Sequence, residues 1–311
     1  MADSDQTETT RNKAWIDLCD PTPQDVRDIK ERFGIDVPDL TALREIESSS
    51  RLRTHGQTLI MTAPLLTRTA DERWQYAPTG FLLLPEVLIT VHYAHLPAFD
   101  AIDEAMKREP DLTPPVVLVR LLEEVVDRAA DKLEAASEMA TAISRTVFYS
   151  DIDRHGLNRE TAVLRRSIIK LGRASDLSSR VRYSFLSIGR MASFVIDRCE
   201  VGLDGNVRTR FQSVLHDIDS LDEFEISLST RIQFLLDAAT SLISIRQNDV
   251  VKVLTVASVV GIPPVMVVGI YGMNFKVMPE LSWPLGYPFA LFLCVLSALI
   301  PYFWFKLKKW V

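Results

Sequence analysis

Two apolar stretches almost free of charge lie close together near the C-terminal end of the chain, and they set the frame for everything else. The first runs from Val253 to Phe275 between Lys252 and Lys276; the second runs from Leu281 to Phe305, its apolar part starting near Tyr287. At about 1.5 Å per residue, each is long enough as a helix to cross a hydrocarbon core about 30 Å thick. The N-terminal residues MADSDQTETTRNK are polar and acidic with no apolar run behind them, so neither stretch reads as a cleaved targeting peptide. The chain is expected to enter the membrane late, after a large soluble part.

Charge sets the expected orientation. Arg246 and Lys252 precede the first stretch and Lys306, Lys308 and Lys309 follow the second, whereas the connection carries only Lys276 and Glu280. An excess of Lys and Arg marks the cytoplasmic side. The expectation is a multi-pass protein of the plasma or cell inner membrane with both termini, and residues 1–252, in the cytoplasm. Trp283, Tyr287, Tyr302, Trp304 and Trp310 suit the two interfacial belts.

Of 35 basic and 41 acidic residues only four Lys and one Glu lie from Val253 onward, so the part before it carries a net charge of −9. Such a surface disfavours nucleic acid as a partner and suits divalent cations, or is simply a solvated acidic face. Cys19, Cys199 and Cys294 are far apart and form neither a disulfide framework nor a Cys-x-x-Cys site.

Periodicity gives an α+β chain. Residues 1–13 read as a disordered tail and 14–114 as a small α/β domain. Its strands are expected at WIDL, TLIMTAPLLT, FLLLPE and VLITVHY, and a proline-started helix ends at Gly34. Residues 115–205 read as a helical hairpin, 206–252 as a stalk helix, and 253–311 as a two-span domain with an outer loop at 274–286. In the stalk, Val207, Phe211, Val214, Ile218 and Leu221, then Leu228, Ile232, Leu235, Ala239 and Leu242, recur at spacings of four and three, a coiled-coil-like seam interrupted at Glu225 and, beyond Leu242, at Arg246. No Pro or Gly occurs from Asn206 to Val260, so one helix is expected to run into the first span, roughly 100 Å in all.

Asn248, Val251, Thr255, Ser258, Ile262, Val265 and Gly269 lie three or four apart and form one stripe down that helix. Its polar and small members suit contact with water or with another helix better than contact with lipid. Two spans cannot enclose a conduit, so a pore requires a symmetric homo-oligomer. Pro263 and Pro264 interrupt the hydrogen-bond ladder in mid-span, read here as a fixed bend rather than a moving hinge.

The run YGMNFKVMPELSWPLGYP, preceded by RQNDVVKVLTVASVVGIPP and followed by a span ending PYFWFKLKKWV, closely resembles the CorA family of magnesium/cobalt transporters. The likeness extends to WIDLCDP, LREIESSSRL and LITVHYAHLPAF. It implies a homopentameric channel with a cytoplasmic funnel and a pore lined by the first span. Gly272, Met273 and Asn274 would form the selectivity ring, Asn248 would sit at the cytoplasmic end, and Leu254, Ile262 and Val265 would form the constriction.

By that resemblance the cargo is Mg²⁺, with Co²⁺ and Ni²⁺ also passing, and transport is passive and driven by the membrane potential. Cytoplasmic Mg²⁺ bound between subunits would gate it. Asp217, Asp219, Asp222, Glu223 and Glu225 near the start of the stalk are spaced so that some face a neighbouring subunit, and Asp217 and Asp219 are the candidate regulatory ligands. Lys276 stands where many relatives carry an acid, leaving Glu280 to gather cations at the mouth. Val265 and Ile262 make a drier lining than the Thr and Met of relatives. The alternatives are a zinc transporter of the related Gly-Met-Asn branch and a non-conducting membrane-anchored cation sensor.

His92 and His95 form an H-x-x-H pair whose spacing suits a strand end poorly for zinc. His55, His155 and His216 are isolated and read as solvated. No nucleophile, base and orienting residue converge, so no enzyme and no organic cofactor are expected. The expected partners are further copies of the chain, membrane lipid and divalent cations.

Overall fold

A computed structural model describes residues 14–45, 51–69, 71, 73–109, 112–149, 157–199, 202–274, 278–279, 283–308 and 310. The expected N-terminal tail, Lys276 and Glu280 of the outer loop, and His155 with most of the turn around it lie outside these. The chain divides into two compact units, Met1–Tyr149 with Ile168–Leu235, and Ser150–Ser167 with Leu236–Val311.

The first unit is built on a sheet of five strands: β1 (Trp15–Cys19), β2 (Leu52–His55), β3 (Thr58–Arg68), β4 (Trp74–Leu83) and β5 (Leu88–His92), in the order β1-β5-β4-β3-β2. Only β1 and β5 run parallel. Helix α1 (Pro23–Phe33) begins where the sequence predicts. Thr22 caps it in a reciprocal box with Asp25, Pro23 supplies a preset φ, and Gly34 closes it at φ 69°, a left-handed conformation that glycine adopts without steric cost.

Helix α2 (Leu40–Leu43) brings Leu43 onto one face of the sheet, where it packs with Ile29, Ile35, Leu82, Ile89 and Val91. Gly80 leaves room for this packing: a Cβ there would lie 2.9 Å from Leu43 Cδ2, and the Leu43 side chain would have to shift. Helices α3 (Pro97–Met106) and α4 (Pro114–Phe148) bury Phe99, Met106, Leu118 and Leu122. With residues from both faces buried, the strands read as nearly continuous apolar runs.

Four elements go beyond the sequence reading. Helix α2 is a single turn, too short for a periodicity to show. Strand β2 is short and mostly exposed, so it carries no apolar alternation to detect. Helix α3 is too short for its pattern to stand out from its surroundings. Strand β4 starts seven residues before FLLLPE, despite Pro78. Pro64 and Pro78 face each other across β3 and β4. The Pro64 carbonyl turns outward to accept from Ser184 Oγ, so at this pair the missing N–H groups would have pointed away from the ladder.

Helices α4, α5 (Leu157–Arg198) and α6 (Gly205–Tyr271) bury matching stripes. Asp204 caps α6, its carboxylate accepting from Val207 N at 2.8 Å. The seam at Val207, Phe211, Val214, Ile218, Leu228, Ile232 and Leu235 is buried as its spacing predicts. Glu225 does not interrupt it. It occupies a seam position, 2% exposed, with Oε1 accepting from Ser178 at 2.7 Å and Ser229 at 2.9 Å and Oε2 lying 3.6 Å from the Arg182 guanidinium. A buried carboxylate needs such partners, because its desolvation would otherwise cost several kcal/mol.

In the second unit, α6 continues to Tyr271 without a break through Pro263 and Pro264, and α7 spans Gly286–Leu307. These two helices are long and apolar enough to cross a membrane, and almost none of their most apolar segments is buried. A helix so apolar and so exposed is not the core of a water-soluble domain.

Candidate functional site

Around the last turns of α6 the apolar side chains divide into two faces. Val256, Val260, Pro263, Pro264, Val267 and Tyr271 are half-buried. Cys294 Sγ of α7 lies 3.9 Å from the Pro264 carbonyl, so this face meets α7. About half a helical turn away lies the stripe expected to line a pore. Asn248, Val251, Leu254, Ser258, Ile262, Val265 and Gly269 are all exposed, Ile262 at 57% and Val265 at 70%, while Thr255 at the edge of the stripe is half-buried. The described residues cover one side of this helix and leave the other exposed.

The polar members of the stripe are fitted to an apolar medium. Thr255 Oγ1 donates to the Val251 carbonyl at 2.8 Å and Ser258 Oγ to the Leu254 carbonyl at 2.9 Å. Their protons are thereby satisfied within the helix and their oxygens remain acceptors. A Cβ added at Gly261 or Gly269 would meet nothing within 4 Å, so no contact among the described residues requires either residue to be small. The carbonyls of Val259 and Val260 lose their helical donors to Pro263 and Pro264.

The helix closes with Gly272 N donating to Val268 O at 2.9 Å and Met273 N to Ile270 O at 3.2 Å. Met273 and Asn274 then stand exposed at its end, and Lys276 and Glu280 lie outside the described residues. The Asn274 amide offers a neutral oxygen acceptor and two N–H donors.

The acids at the start of α6 do not act as one group. Asp222 holds Arg182 through two contacts, at 2.8 and 3.3 Å, and Glu225 is buried, so both are occupied within the chain. Asp217, Asp219 and Glu223 are exposed. Asp217 lies close to Asp127 of α4. Burial, then the charges of Glu124 and Asp217, raise the Asp127 carboxyl pKa above its usual value. Glu123 is paired with Arg210 and Glu124 with Arg128. No cluster of three potential ligands that could hold a metal occurs within one chain among the described residues. Asp127 is a candidate the sequence reading missed, because its closeness to Asp217 arises between helices ninety positions apart.

His92 and His95 do not form a metal pair. His92 Nδ1 faces the Ala94 carbonyl at 2.7 Å and Nε2 faces both Asp17 oxygens at 3.1 Å, while His95 pairs with Asp100. His55 and His216 are exposed.

A family model described as CorA-like Mg²⁺ transporter protein matches residues 12–308. The chain belongs to this family. A magnesium transport protein CorA from Wolinella succinogenes is 30% identical over 309 residues, covering 97% of this chain and 92% of that protein. The magnesium transport protein CorA of Escherichia coli strain K12 is 28% identical, covering 96% and 92%.

Among solved structures, the complete CorA magnesium transporter from Methanocaldococcus jannaschii superposes with a TM-score of 0.74 at 17% identity, over 96% of this chain and 91% of that one. The full-length CmaX protein superposes with a TM-score of 0.66 at 16% identity, over 95% and 88%. The CorA fold thus accounts for the whole described architecture: the sheet domain, the long helices and the two C-terminal apolar helices.

Proposed function

We propose that the chain is a passive membrane channel for Mg²⁺ that also passes Co²⁺ and Ni²⁺, formed by five copies in the plasma or cell inner membrane with both termini in the cytoplasm. One observation carries this reading. In a chain of the CorA family, Gly272, Met273 and Asn274 end a membrane-length helix whose one face meets α7 and whose opposite face, from Asn248 to Gly269, is left exposed by the described residues. Five such faces around an axis would cover that stripe and enclose a conduit.

The chemistry suits a hydrated divalent ion. Mg²⁺ prefers octahedral oxygen and sheds water reluctantly, so a ring of Asn274 amide oxygens would accept hydrogen bonds from its water shell without stripping it. Conduction needs sites that an ion can leave, which neutral amides provide and a ring of carboxylates would not. Leu254, Ile262 and Val265 would form a dry constriction able to gate by dewetting. An inside-negative potential contributes about 4.6 kcal/mol per 100 mV for a divalent ion.

Closure would follow from cytoplasmic Mg²⁺ held by Asp217 and Asp219, which point to different sides of the helix and so to different neighbours, with Asp127 beside Asp217. The donor set fits a hard oxygen-seeking cation but is incomplete in one chain, so ligands from a neighbouring copy would be needed. The relatives named as magnesium transport proteins favour Mg²⁺ over Zn²⁺ as the cargo.

Flux into liposomes reconstituted with the full chain tests the reading. Expected are Mg²⁺ entry that rises with inside-negative potential and a drop of tenfold or more in Asn274→Ala. Entry of Zn²⁺ alone would transfer the assignment to a zinc transporter, and absence of any divalent flux would leave the sensor.

A further inference from the structure

A cavity of about 300 Å³ lies within the first unit, between the ends of β3 and β4, the segment leading into α3, and helices α4 and α5. That volume is at the lower end of small-molecule sites. Leu65, Leu96, Ala129 and Val181 give it apolar walls, whereas Arg68, Arg128 and Lys132 line it with three cationic side chains. The Trp74 indole is part of the same lining, with the Arg68 guanidinium 4.5 Å and the Lys132 ammonium 5.5 Å from its ring centroid.

The positive charges are only partly answered. Glu124 pairs with Arg128 at 2.6 Å. The Lys132 ammonium donates to the Arg128 carbonyl at 2.6 Å, and no carboxylate lies within ion-pair distance of it among the described residues. Burial, then the charges of Arg128 and Arg68, hold the Lys132 pKa below its usual 10.5, with only Asp131 acting in the opposite direction. Cations crowded against an apolar, half-enclosed space are the arrangement that favours an anion with an apolar body, since the ligand relieves the repulsion and fills the volume together.

We propose that this cavity binds a small organic anion, its carboxylate or phosphate held by Lys132 and Arg68 and its planar or apolar body seated against Leu65, Leu96, Ala129 and Val181. Such a ligand bridges the sheet to α4 and α5 and stabilises this unit by mass action. It is independent of the ion pathway, and nothing in the channel reading requires it.

Calorimetric titration of the purified full chain in detergent, in buffer free of divalent ions, tests this. Phenyl phosphate and benzoate serve as probes, with inorganic phosphate and benzyl alcohol as comparators. Expected is saturable binding of at least one aromatic anion, tenfold or more tighter than either comparator, and weakened tenfold or more by Arg68→Gln or Lys132→Gln. Arg68 is exposed, so its replacement tests binding without endangering the fold. Ala129→Leu, which fills the cavity, is expected to abolish binding. No saturable binding of either anion, binding no tighter than that of the comparators, or binding unchanged in both charge variants overturns the proposal.

Discussion

The two ends of α6 are the same kind of structure with opposite fates. From Val207 to Leu235 its apolar seam is nearly inaccessible, with Phe211 and Val214 at 0% and 1%. From Val251 to Ile270 equally apolar side chains stand open, Val265 at 70%. Helix periodicity is common to both, so it does not explain the difference. The first stretch finds its complement in α4 and α5 of its own chain, whereas among the described residues the second finds only α7, on one side. Its remaining apolar surface is stable only against lipid or against other copies of the chain.

The comparison is sharpest in substitutions at matched positions. Phe211→Ala should destabilise the full chain by about 3–5 kcal/mol, through lost transfer energy and a residual cavity. Val265→Ala should change its unfolding by less than about 0.5 kcal/mol while altering ion flux. Thermal unfolding in detergent beside liposome flux checks both, and equal destabilisation at the two positions would break the contrast.

Next in size is the carboxylate in the seam. Arg182→Met leaves Glu225 without its counter-charge and is expected to cost about 2–3 kcal/mol, less than for a fully buried pair because the guanidinium is partly exposed. Glu225→Gln, which keeps a hydrogen-bond acceptor for Ser178 and Ser229, should cost less than half as much. The same thermal measurement ranks them, and the reverse order would contradict the assigned roles.

A smaller effect belongs to His92. Both of its ring nitrogens face acceptors, so the ring is suited to carry two protons. Burial lowers its pKa, but the hydrogen bond and charge of Asp17, the Ala94 carbonyl and the charge of Asp100 outweigh that and raise it above 6.5. The folded state therefore holds this proton more tightly than the unfolded state. The stabilisation is fully present below about pH 6.5 and is lost as pH rises through the folded-state value. The drop in unfolding temperature between pH 6 and pH 8 should shrink in His92→Gln; an unchanged pH profile would refute the coupling.

Small in folding energy too is Gly269→Ala. Its Cβ meets nothing among the described residues, so unfolding of the monomer should shift by no more than the helix propensity that Ala gains over Gly, about 0.5–1 kcal/mol. Any change in flux or in assembly, read by native mass, would come from outside the single chain.

Much of the architecture was legible in order along the chain. The proline start and the Gly34 stop fixed α1, and the four-three spacing from Val207 fixed the seam, because both signals are local. Strand β2, the first half of β4 and helix α3 were not, since an exposed edge strand lacks alternation and Pro78 obscures a strand whose free flank only the sheet order reveals. Within the candidate site, the stripe to Gly269 and the turn at Asn274 could be named from spacing and resemblance. Asp127 could not, and neither could the burial of Glu225.

Residue order alone determined that two helices are too apolar to remain in water, where they lie, and which positions share a face, because hydropathy and a period of 3.6 are properties of neighbours in the chain. Only the tertiary structure decided which face α7 covers, which acids are committed to arginines, and that Arg68, Arg128 and Lys132 converge on one cavity. Those depend on contacts between segments tens of residues apart, where packing and desolvation choose among alternatives that the local pattern leaves equal.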